Sequence, residues 1–165
     1  MTTTDLGAAA ARLLDSCRKR GLTVATAESC TGGLVVAALT DIAGSSAVVD
    51  RGFITYSNDA KSEMLGVPPG LLAQFGAVSR ETATAMAEGA LDQSLADLVV
   101  AITGIAGPGG GSDEKPVGLV HFAAAKRGGR RLHHEERFGD IGRAAVRHAA
   151  AAVALAMLQD LAGGP

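Results

Sequence analysis

Residues 98–102, Leu-Val-Val-Ala-Ile, form a continuous apolar run of the kind that a strand buried on both faces carries. A sheet built around such a strand must be covered by helices on each side. The flanking sequence supplies them. Leu6, Ala9, Ala10, Leu13, Leu14 and Cys17 recur at helical spacing, the run ends in Arg18, Lys19 and Arg20, and Gly21 stands at the C-terminal cap position. Leu22 to Ala27 then alternates as a short strand, and Thr31 to Thr40 reads as a helix entered through Gly32 and Gly33. Ala47 to Tyr56 is a second strand, and a short helical turn over Asp59 to Leu65 precedes a breaker at Gly66 to Gly70. Ser79 and Glu81 open a helix marked by Ala83, Met86, Ala87, Ala90 and Leu91. After residues 98–102 come a glycine-rich loop (104–115), strands over Val117 to Ala125 and Leu132 to Phe138, and a closing helix with Val146, Val153, Met157 and Leu161 on one stripe.

This order is α/β. Because the last strands follow one another through short turns they should pair antiparallel, so the expected architecture is a three-layer α/β/α sandwich with a mixed sheet. At 165 residues the chain is long enough to bury a full core, and residues 5 to 162 read as one domain with short ends.

Charge and cysteines narrow the functional classes. A formal net charge of -2 lacks the positive excess of a nucleic-acid binder. Cys17 and Cys30 match neither a zinc spacing nor a disulfide framework, so reduced thiols in a cytoplasm are expected. The apolar stretch from Ala149 to Leu158 falls short of the roughly 20 residues that span a bilayer, and the first 14 residues lack the basic start of a signal peptide. No membrane association and no nucleic-acid partner are expected.

Three segments could carry chemistry. Ala27-Glu28-Ser29-Cys30-Thr31-Gly32-Gly33 places a hydroxyl at a strand exit and a helix entry, where free N–H groups and the helix dipole favour developing negative charge. The same serine or threonine could equally be a plain helix cap. In the second segment Lys61, one of four lysines, follows the strand that ends in Tyr56, the only tyrosine. A buried lysine can lose its proton and act as base to a nearby serine, whereas a solvated one has no such role. The third is Thr103-Gly104-Ile105-Ala106-Gly107-Pro108, followed by three more glycines, which fits neither a P-loop nor a G-x-G-x-x-G fingerprint but could bring backbone amides to a ligand. His133, His134, Glu135 and Glu136 invite a metal reading. Neighbours on a strand point to opposite faces, however, so a solvated edge is the better account. Cys30 is a rival nucleophile ranked below Ser29, since no histidine lies in a pairing motif.

Taken in order, the 27–33 segment, Gly52 with Tyr56-Ser57-Asn58 and Lys61, Gly76-Ala77-Val78-Ser79, Met86-Ala87-Glu88-Gly89, Thr103 to Pro108, and Lys115-Pro116-Val117-Gly118 resemble the CinA C-terminal domain family. The likeness covers nearly the whole chain, which looks like the stand-alone form. The family's enzymatic members are nicotinamide-nucleotide amidohydrolases, so the resemblance implies hydrolysis of the carboxamide of nicotinamide mononucleotide to nicotinate mononucleotide and ammonia. A compatible assignment makes Ser29 the nucleophile and Lys61 its base, with Tyr56 and Thr103 orienting Lys61 or the substrate. Backbone N–H groups at Thr31, Gly32 and Gly33 would hold the oxyanion, and Gly104 to Gly107 would approach the nucleotide. No metal or cofactor is required. Many family members carry an arginine directly after a Gly-Asp pair, but here Gly139-Asp140 is followed by Ile141-Gly142, leaving Arg143 and Arg147 as alternative phosphate contacts. A homodimer is expected, two-fold dimers being the commonest soluble oligomers.

Two other readings stand beside the enzyme. A non-catalytic nucleotide-binding module would be marked by an unpaired or outward-facing Lys61. A partner-binding role linked to competence or DNA damage would need an exposed apolar patch.

Overall fold

The computed structural model describes residues 4–163. Its elements are α1 (Leu6–Arg20), β1 (Val24–Glu28), α2 (Leu34–Thr40), β2 (Val49–Ile54), α3 (Asn58–Leu65), α4 (Pro69–Phe75), α5 (Arg80–Asp92), β3 (Leu98–Gly104), β4 (Leu119–Lys126), β5 (Arg131–Arg137) and α6 (Arg143–Gly163). The five strands form one sheet in the order β2-β1-β3-β4-β5. β1 pairs parallel with β2 and β3, while β3–β4 and β4–β5 are antiparallel, so the sheet is mixed as the short turns required.

Two cores follow from strand alternation. Val24, Leu98, Val100, Ile102, Val120, Phe122 and Ala124 point to the face covered by α1, α2 and α6. Ala25, Ala27, Phe53, Val99, Ala101, Ala123 and Ala125 point to the other face, under α3, α4 and α5. With both faces covered, every residue of β1 is buried, and its apolar-polar alternation does not translate into a wet side. The same holds for β3 as far as Thr103, the strand expected from the 98–102 run.

Local chemistry fixes the ends. Asp5 accepts from the Ala8 N–H and α1 stops at Gly21; Ser79 accepts from the Thr82 N–H at the start of α5, and Ser57 from the Ala60 N–H at the start of α3. Beyond shifts of one or two residues at strand ends, three differences from the expectation have a local cause. α2 begins at Leu34 rather than Thr31, because Gly32 (φ 58°) and Gly33 (φ 105°) are left-handed and make a turn in place of a first helical turn. β2 is shorter than residues 47–56, since Ser45–Ala47 winds into a 3-10 turn. The 66–70 breaker ends one helix and immediately begins another, α4, with proline at its first turn. No helix among the described residues is long and apolar enough to cross a membrane.

Candidate active site

From β1 the chain runs outward to β2 and then crosses back to β3, so the connections leave in opposite directions at the carboxyl ends of β1 and β3. Ligand crevices of open α/β sheets form at such a switch point. A cleft of about 260 Å³ opens there, with Ser29, Lys61, Thr103, Gly107 and Arg143 in its wall.

Ser29 leaves β1 held to the neighbouring strand, its N–H donating to the Ile102 carbonyl at 2.9 Å. Lys61 comes from the α3–α4–α5 layer. It sits on α3, is only 1% exposed, and places Nζ 3.1 Å from Ser29 Oγ, 3.1 Å from the Thr55 carbonyl and 3.3 Å from the Tyr56 carbonyl. Among the described residues no carboxylate pairs with it, and burial lowers its pKa from the ordinary lysine value. Nζ donates to all three oxygens; once its proton is lost, two N–H groups still serve the two carbonyls, which can only accept, and the lone pair is left for the serine hydroxyl.

The cleft wall also brings together Tyr56, Thr103, Gly104, Gly107 and Arg143. It is the Tyr56 carbonyl that meets Lys61. The Tyr56 ring stands exposed at the rim, its hydroxyl accepting from Arg143 Nη2 at 2.8 Å. Arg143 also donates to the Gly107 carbonyl at 2.8 Å, linking α6 to the glycine loop. The Thr103 hydroxyl donates to the Ala77 carbonyl at 2.7 Å, fastening the 77–78 wall to the end of β3. Gly104 lies so close to β4 that a Cβ there would stand 2.7 Å from Val120 Cγ2.

Thr31, Gly32 and Gly33 do not themselves line the cleft wall, which ends at Cys30. The Gly33 N–H and the Thr31 hydroxyl donate to the Glu28 carboxylate, and the Gly32 N–H to the Ser29 carbonyl. Within the turn, the amides of Cys30 and Thr31 are the ones not committed to a carboxylate or a main-chain carbonyl among the described residues. The two arginines also separate: Arg143 lines the cleft, whereas Arg147 donates to the Cys30 and Thr31 carbonyls behind it.

Cys30 shares the cleft wall, but burial pushes its thiol up to about 11, away from the reactive thiolate. Cys17 and Cys30 are both free and buried. The histidine cluster lies on β5, a sheet edge. His133 pairs with the His121 ring at 3.1 Å and His134 with Glu136 at 2.8 Å. Among the described residues no group of three or more histidine, cysteine or acidic side chains is placed to hold a metal.

Sequence reasoning gave no role to Glu28, which is fully buried and takes five hydrogen bonds: from the hydroxyls of Thr26 and Thr31 and the amides of Gly33, Val35 and Val36. The available signal was a charged residue at the inner end of a strand otherwise made of small buried residues. Lys115 was also missed; its Nζ donates to the Phe75 carbonyl at 2.6 Å and anchors the glycine loop.

The CinA C-terminal domain model matches residues 7–162. The chain is 52% identical to nicotinamide-nucleotide amidohydrolase PncC of Escherichia coli K12, over 96% of this chain and 95% of that one. Its fold superposes on the crystal structure of the competence/damage inducible protein CihA from Agrobacterium tumefaciens with a TM-score of 0.94, at 60% identity over 98% of both chains. A competence damage-inducible protein from Klebsiella pneumoniae gives a TM-score of 0.92 at 36% identity, over 98% of this chain and 100% of that one. With the match spanning every element from α1 to α6, the chain belongs to the CinA C-terminal domain family.

Proposed function

We propose that the protein is a nicotinamide-nucleotide amidohydrolase, converting nicotinamide mononucleotide to nicotinate mononucleotide and ammonia through a serine nucleophile. The observation that carries this reading is the buried, carboxylate-free Lys61 with its amine 3.1 Å from Ser29 Oγ. Near-full-length identity to PncC gives the substrate class.

In this scheme Lys61 takes the Ser29 proton as Oγ attacks the carboxamide carbon. The uncommitted amides of the turn, Cys30 at the cleft wall and Thr31 next to it, receive the oxyanion, while those of Gly32 and Gly33 are engaged elsewhere. As the C–N bond breaks, the proton on Lys61 passes to the leaving nitrogen and ammonia departs. Water then attacks the nicotinoyl ester, its proton moving to Lys61 and on to Ser29 Oγ, and nicotinate mononucleotide is released. Tyr56, Gly104 and Gly107 flank the nucleotide, Arg143 meets its phosphate, and Thr103 positions the cleft wall. Every step uses side chains and backbone of this chain, with no cofactor. A cytoplasmic homodimer is the expected working form, on the two reduced, buried thiols and the prevalence of two-fold dimers.

The test is ammonia and nicotinate mononucleotide formation by the purified protein and by Ser29→Ala and Cys30→Ala variants. Activity lost with Ser29→Ala and kept with Cys30→Ala is the expected result. Saturable binding of the nucleotide without turnover by the unmodified protein would overturn the reading in favour of a binding module.

A further inference from the structure

The 29–33 turn is gripped by two opposite charges, and the mechanism above uses neither. Glu28 gathers the donors around the turn, taking Thr31 Oγ1 at 2.8 Å and the Gly33, Val35 and Val36 amides at 3.2, 2.9 and 3.0 Å. Arg147, on α6, gathers the acceptors: its Nε and Nη2 donate to the Cys30 and Thr31 carbonyls at 3.1 and 3.0 Å. Neither side chain lines the cleft.

We propose that Glu28 and Arg147 are positioning residues, a pair of charged clamps that set Ser29 Oγ at proton-transfer distance from Lys61; the inference rests on Ser29 being the nucleophile. The turn cannot set that distance itself. Gly32 and Gly33 have no side chains to pack and are free to take many conformations, so the turn's shape must be imposed from outside. Glu28 imposes it from the sheet side and Arg147 from the helix side. A carboxylate already holding five donors cannot also serve as a base or receive substrate. The amides of Gly33, Val35 and Val36 are likewise spent, so the α2 terminus does not bind the substrate's anionic group. Arg147, with two of its N–H groups fixed on carbonyls behind the turn, acts on catalysis through Ser29 and not through the nucleotide.

The experiment compares Glu28→Gln and Arg147→Gln with Ser94→Ala, a control that removes a buried hydroxyl bonded to the Ala90 carbonyl far from the cleft. Two readouts are taken on folded protein: kcat and KM for nicotinamide mononucleotide, and the rate at which a small fluorophosphonate, which carries no nucleotide, labels Ser29. Misplacing a reacting atom by about 1 Å costs up to about 100-fold, so Arg147→Gln should slow labelling and kcat by about 10-fold and Glu28→Gln by about 100-fold, with KM nearly unchanged. Ser94→Ala should leave both rates intact. A raised KM with normal labelling in Arg147→Gln would make Arg147 a ligand contact and overturn the proposal, as would losses no larger than those of Ser94→Ala. If Glu28→Gln does not fold, Arg147→Gln decides, because its side chain is only half-buried. Slowed labelling in the variants, alongside an unmodified protein that labels at Ser29 but leaves the nucleotide intact, would uphold the clamp while refuting the proposed substrate. No labelling of the unmodified protein would refute the nucleophile and the clamp together.

Discussion

Gly89 lies in the last turn of α5, and a methyl group there would stand 2.8 Å from the Leu65 carbonyl carbon, with the carbonyl oxygen closer still. Leu65 is the last residue of α3, the helix that carries Lys61. Two opposing terms act on Gly89→Ala. Alanine in place of a helical glycine stabilises by up to about 1 kcal/mol. Overpacking costs typically about 1–3 kcal/mol, and the upper part of that range applies because the obstacle is backbone and cannot rotate away. The net expectation is a loss of about 1–2 kcal/mol, which in a chain of this size lowers the melting temperature by roughly 2–8 °C. Relief of the clash pushes α3 outward and draws Nζ away from Ser29 Oγ, so kcat should fall by about 10- to 100-fold even in fully folded protein. Urea unfolding followed by circular dichroism gives the stability, and nicotinate mononucleotide formation well below the transition gives the rate. A variant as stable as the parent, with unchanged turnover, would refute the argument that α5 sets the position of α3.

The lowered pKa of Lys61 gives both a rate and a stability prediction. Activity should rise with pH as the amine loses its proton, with a midpoint below the ordinary lysine value of 10.5, and Lys61→Arg, which cannot deprotonate, should be inactive over the whole profile. For stability, the unfolded chain binds the extra proton in the window between the folded and unfolded pKa values. Stability therefore rises with pH through that window and carries a constant penalty below it, a slope that Lys61→Met should remove from a series of urea melts. Thr103→Val leaves the Ala77 carbonyl without its donor and should cost about 1–3 kcal/mol, with KM rising more than kcat falls as the 77–78 wall loosens; steady-state kinetics with unchanged KM would count against that role.

What the sequence revealed and what it hid have distinct physical origins. The 98–102 run, the Gly21 stop and the Ser79 cap are local signals, and each corresponds to an element in the structure. The pairing of Ser29 with Lys61 was approachable because a strand-exit hydroxyl and an unusually placed lysine are residue-type signals. The inward aim of Lys61 was not, since α3 has only eight residues and too little pattern to show which face is buried. α4 was obscured because proline and glycine at 68–70 look the same whether they end a helix or begin one. Arg143 and Arg147 are one helical turn apart on nearly the same face, so only the docking of α6 decides which reaches the cleft. Glu28 was hidden for another reason: its five partners come from β1, the turn and α2, and only the folded chain assembles them.

Ser29 stands just past the end of the central strand β1, whereas Lys61 hangs from α3 in the α3–α4–α5 layer, and the two meet where that layer closes over the end of the sheet. The proposed pair is thus a gauge of how the α3–α4–α5 layer is seated on the sheet. Slippage between the layers that leaves every helix and strand intact would still separate acid from base, so chemistry should be the first property this fold loses under stress and the last it regains.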